Sequence, residues 1–152
     1  IMERFKTLQD VITFAVGKEE AAYQLYSTTA QQVKSPAARK MLEEMAAQEL
    51  GHKRMMEAMT QEKLAQYNFQ KVPDLKIGDY LLDVEVKEGM SFQEVLVFAM
   101  KSEEAAYKLY TAAEALAEAP EVKDALRLMA SEEKKHKFLL ESLYDDKVLA
   151  EM

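Results

Sequence analysis

"FAVGKEEAAYQLY", residues 14–26, returns 84 positions later as "FAMKSEEAAYKLY", residues 98–110. A helix-favouring segment that recurs at a fixed spacing indicates one supersecondary unit used twice. The match continues without insertion. Pro36 in "KSPAAR" falls on Pro120 in "EAPEVK", and "MAAQELGHK" (45–53) falls on "MASEEKKHK" (129–137). Each unit reads as a helical pair, so the expected fold is all-α: a four-helix bundle made of two repeated antiparallel pairs.

Boundary residues set the helices. Thr7 with Asp10 offers a start for the first, and Ser91 with Glu94 has the full capping-box form for the third. Pro36 and Pro120 sit where a new helix can begin, since a first turn leaves the amide hydrogen that proline lacks unused anyway. The spacing predicts helices at about 7–33, 36–66, 91–118 and 120–148 in a single domain spanning 1–152. Residues 67–90, with Pro73, Gly78 and Gly89, are too long for a hairpin turn and read as one crossover running the length of the bundle.

Composition agrees. The 152 residues are 49 % apolar and 31 % charged, with only 4 glycines and 3 prolines, a globular mixture rich in helix formers. The net charge of -7 is spread along the chain, which argues against a nucleic-acid grip or an anionic membrane surface, both of which need clustered Lys and Arg. No apolar run approaches the roughly 18 residues of a membrane span and no secretory leader is visible, so a cytoplasmic location is expected. With no cysteine, disulfides, thiolate nucleophiles and iron–sulfur clusters are excluded.

Helical phase then selects the polar residues that turn inward. Steps of three or four link Val11, Ala15, Glu19, Ala22 and Tyr26, and in the copy Val95, Ala99, Glu103, Ala106 and Tyr110. The second helices give Leu42, Met45, Glu49, His52 and Met56, and Leu126, Met129, Glu133, His136 and Leu140. Glu20 and Glu104 fall about 100° away, outside or at the flank. Every helix thus carries a carboxylate in mid-stripe, while the stripes hold no Lys or Arg.

Four buried carboxylates repel unless cations or protons balance them. Two divalent cations would balance four carboxylates and leave both histidines neutral, the state in which they ligate. One Glu from each of two helices plus Glu-x-x-His from each of the other two is the pattern of a di-iron or di-manganese bundle. Carboxylate oxygens with one nitrogen per metal suit Fe(II) or Mn(II). Zinc could occupy the same site as a substitute acquired in purification. Glu49 and Glu133 are the natural bridges between the ions; Glu19 with His52 would then cap one metal and Glu103 with His136 the other, a pairing left open because the pattern does not encode which facing helix each histidine leans toward. Tyr26 and Tyr110 lie two turns from Glu19 and Glu103, within reach of a ligand carboxylate, and read equally as core aromatics. One Glu-x-x-His alone arises readily by chance in an acidic helical chain; the weight lies in six residues at matching phase.

In these motifs the chain resembles the rubrerythrin branch of the ferritin-like superfamily. "EEAAYQLY" and "SEEAAYKLY" supply the Glu of the first and third helices, and "QELGH" and "EEKKH" the Glu-x-x-His of the second and fourth. The resemblance implies a non-haem di-iron centre reacting with hydrogen peroxide or dioxygen, a role in oxidative-stress defence and a homodimer. Full-length relatives add a four-cysteine rubredoxin-like domain that feeds electrons to the irons; without cysteine, the electron donor here is expected to be a separate protein. Relatives also carry an extra glutamate one turn after the third-helix ligand, and the matching residue here is Ala106. Three other classes stay open: a ferroxidase or iron-handling protein, a di-manganese oxidant, and an interaction bundle with a structural dimetal site.

Overall fold

The computed structural model describes residues 7–59 and 89–151, with side chains through 146. Among the described residues there are four helices: α1 (Leu8–Gln32), α2 (Pro36–Glu57), α3 (Phe92–Leu116) and α4 (Pro120–Glu151). No strand occurs among the described residues.

The starts follow the local chemistry. Thr7 and Asp10 form a reciprocal capping box, each side chain taking the other's backbone N–H at 3.1 Å, and Ser91 with Glu94 repeats it. Ser35 caps α2 ahead of Pro36 by accepting from the Ala38 amide. Such caps contribute about 1 kcal/mol each. Just before α3, Gly89 has φ +89°, a left-handed conformation that side-chain-bearing residues rarely adopt; a Cβ there would meet nothing, so the demand comes from the backbone rather than from space.

Two boundaries differ from expectation. α2 ends at Glu57, not near 66: the Ala58 amide reaches Arg54 O and the Met59 amide bonds Met56 O at 3.2 Å, a tightened last turn. α4 runs on to Glu151, past 148. Apart from Gly89 and Met90, the crossover expected over 67–90 lies outside the described residues.

Helix directions follow from cross-helix contacts. Tyr26 on α1 meets Glu103 on α3, while Tyr110 meets Glu19, so α1 and α3 are antiparallel. His52 on α2 meets Glu133 on α4, and His136 meets Glu49, so α2 and α4 are antiparallel too. Within the pairs, Lys53 bonds Glu20 and Lys137 bonds Glu104, each at 3.0–3.1 Å, the same bridge in both halves. α2 therefore ends, and α3 begins, at opposite ends of the bundle.

The core comes in two pieces. At one end Leu8, Val11, Ile12 and Ala15 pack with Met56, Leu109, Leu126 and Met129. At the other, Ala30, Leu42, Met45, Leu96, Ala99 and Leu140 pack around Tyr26. Burying each Leu or Met contributes about 1.5–3 kcal/mol. Sequence phase erred by one residue in α3, where Leu96 is buried and Val95 only half-buried. Ala22 and Ala106 are half-buried as well. A layer of polar side chains lies between the two apolar clusters. No helix among the described residues is long and apolar enough to cross a membrane.

Candidate metal centre

That layer contains Glu19, Glu49, His52, Glu103, Glu133 and His136, each no more than 3 % exposed. Glu19 and Glu103 come from mid-α1 and mid-α3. Glu49 with His52, and Glu133 with His136, stand one turn apart on α2 and α4, the i, i+3 spacing that puts both on one face.

Their ligand atoms gather into two groups. Glu19, Glu49, His52 and Glu133 form one, and Glu49, Glu103, Glu133 and His136 the other; within each, all four atoms lie within 4.8 Å of one another. Glu49 and Glu133 belong to both. His52 Nδ1 lies 2.8 Å from Glu133, 3.5 Å from Glu19 and 3.6 Å from Glu49. His136 Nδ1 lies 3.0 Å from Glu49 and 3.7 Å from Glu103. The two rings are near-parallel, with centroids 6.3 Å apart.

These contacts lack hydrogen-bond geometry. Buried without a hydrogen-bond partner are Glu19 Oε2, Glu49 Oε1, His52 Nδ1, Glu103 Oε2, Glu133 Oε1 and His136 Nδ1, one atom from every member of the layer. Buried polar atoms without a partner are costly and rare. Six of them converging, four on carboxylates and two on imidazoles, fit the coordination needs of two divalent cations.

The remaining polar atoms are tethered. Tyr26 donates its hydroxyl to Glu103, and Tyr110 donates to Glu19, so each tyrosine holds the carboxylate of the facing helix. The sequence put both tyrosines within reach of a ligand carboxylate without saying which one. Tyr23 and Tyr107, off the main stripe, are half-buried against the apolar clusters. Gly51, between Glu49 and His52, is exposed and makes no close helix contact. Sequence reasoning missed Gln48 and Glu132, which engage the outer nitrogens of the histidines: His52 Nε2 lies 3.1 Å from Glu132 Oε2, and His136 Nε2 bonds Gln48 Oε1. Their position one residue before each Glu ligand was the available signal.

Without metal, the layer holds protons. Burial, reinforced by the Glu103 charge, pushes Glu49 up to about 8, and burial with Glu103 and Glu49 raises Glu133 well above the carboxylate range. For the histidines burial acts downward, but surrounding carboxylates overcome it, lifting His52 to about 9 and His136 to about 10. Burial also raises both tyrosines, which stay protonated donors. From about pH 4.5 to 10 the folded metal-free chain therefore binds more protons than the unfolded chain, and its stability falls as pH rises. In thermal melts with a chelator, the metal-free protein is expected to lose Tm steadily between pH 5 and 9. A Tm rising across that range would contradict this charge balance.

A rubrerythrin family model matches residues 10–87 and 94–151. Among solved structures, one from Thermotoga maritima, described as a ferritin-like diiron-carboxylate protein, superimposes with a TM-score of 0.73 at 17 % identity, covering 96 % of this chain and 99 % of that one. A hypothetical protein from Pyrococcus furiosus gives the same TM-score at 20 % identity, covering 96 % of this chain and 93 % of that one. No curated protein matches the sequence. The family match spans most of the chain, including all six residues of the buried layer, and the chain belongs to the rubrerythrin family.

Proposed function

We propose that the buried layer holds two iron ions and that the protein carries out redox chemistry on a small oxidant, hydrogen peroxide or dioxygen, in defence against oxidative stress. The observation that carries this reading is the convergence of six unpartnered donor atoms between two apolar clusters. Two ferrous ions would supply one electron each, enough with two protons to reduce one hydrogen peroxide to two waters.

The residues divide the remaining work. Glu49 and Glu133, common to both groups, would bridge the ions and keep them close enough to share one substrate molecule. Glu19 with His52, and Glu103 with His136, would complete the two positions. Tyr110 and Tyr26 fix Glu19 and Glu103 by donating to one oxygen, leaving Oε2 of each for a metal. The apolar clusters on either side keep bulk water from the layer, which strengthens every charge interaction inside it. Electrons would return from a donor protein outside these residues.

Anaerobic loading with ferrous ion, followed by stopped-flow mixing with peroxide or with dioxygen, tests the reading. Oxidation is expected to outpace that of ferrous ion in buffer with at least one of the two, consuming one peroxide per pair of ions in the peroxide arm. Rates equal to those of free ferrous ion with both oxidants would overturn it.

A further inference from the structure

Among the described side chains that hydrogen-bond to the layer, the two halves supply the same residue types with one exception. Glu19, Tyr26, Glu49 and His52 recur as Glu103, Tyr110, Glu133 and His136, and the flanking Glu20–Lys53 bridge recurs as Glu104–Lys137. The exception is Gln48, whose counterpart 84 residues later is Glu132.

This single difference bears on the histidines. Each turns Nδ1 into the layer and Nε2 outward, to the residue preceding the glutamate of the facing helix. With Nδ1 free for a metal, the ring hydrogen sits on Nε2. His52 then donates to a carboxylate, and His136 donates to a neutral amide oxygen. A carboxylate accepting from the outer nitrogen makes imidazole a stronger electron donor than an amide does, and partners of this kind are worth about 10–100-fold in metal affinity. Glu132 is 24 % exposed, so solvent weakens its charge without removing it.

Building on the dimetal reading, we propose that Glu132 and Gln48 are positioning residues that make the two metal positions inequivalent. The position formed by Glu19, Glu49, His52 and Glu133 is the tighter one and fills first.

The test uses cobalt(II) as a redox-inert probe. Crystals of the full chain carrying one equivalent of cobalt, examined by anomalous scattering, are expected to show the ion mainly beside His52. Glu132→Gln should even out the two occupancies. The exchange variant Gln48→Glu/Glu132→Gln, which keeps the net charge, should move the first ion to the position beside His136. Titrations followed by cobalt absorption should show the first binding step weakening about tenfold or more in Glu132→Gln. Equal occupancy in the parent, or a preference that persists in the exchange variant, would overturn the proposal while leaving the dimetal site intact. A parent that binds no cobalt, iron or manganese would remove the site itself. Circular dichroism of each metal-free variant checks that helix content is unchanged.

Discussion

Exchanging Glu49 and Glu133 together for alanine is expected to take bound metal from about two ions per chain to a level near zero. Each of these side chains belongs to both four-residue groups, so the double exchange removes half the donors from both positions at once. What remains is one carboxylate and one imidazole per position, too few for a divalent cation that takes four or more ligands. Removing Glu19 alone is a milder change, since it touches one group only. Metal analysis of protein purified without chelator, parent beside variant, gives the answer directly. A double variant retaining two ions per chain would show that the metal sits elsewhere. Loss of fold is the competing explanation for loss of metal. The exchange deletes two acids that repel their neighbours, so helix content by circular dichroism should persist.

Metal should also dominate stability. An ion that binds only the folded chain stabilises it by about 4 kcal/mol when present at a thousand times its Kd, and in a chain of this size each kcal/mol moves Tm by roughly 2–4 °C. Stripping the metal at pH 8 is thus expected to lower Tm by about 10 °C or more. The complement is Glu49→Gln with Glu133→Gln, which keeps side-chain volume and removes two charges. At pH 8 the metal-free chain carries much of the cost of its crowded acids, burial and mutual repulsion holding Glu49 up to about 8 and Glu133 well above the usual carboxylate range. The glutamine variant escapes that cost, so its metal-free form should melt above the metal-free parent and gain nothing from added iron or manganese. A parent whose Tm ignores chelation would contradict the coupling of metal to fold.

The buried layer was legible in the sequence because its registration is local. Spacings of three and four residues within one helix put Glu49 and His52, or Glu19 and Tyr26, on a common face, and the repeat doubled each signal. Cross-helix partners depend instead on how two helices face each other, which no single-helix pattern encodes. Tyr26 therefore bonds Glu103 rather than a ligand of its own helix, and Gln48 and Glu132 escaped notice because their contacts lie 88 and 80 residues away. The end of α2 was misjudged for a different reason. Helix formers continue past Glu57, and the tightened turn at Ala58 and Met59 has no Gly or Pro to announce it.

The exchange of donors between halves has an evolutionary corollary. Residues 7–59 contribute three side chains to one four-residue group and one to the other, and residues 89–146 do the reverse. A gene encoding only one helical pair would already have specified every donor type of both groups, brought together by self-association of two copies about a twofold axis passing between the groups. Fusion of two such genes would then have freed each copy to diverge.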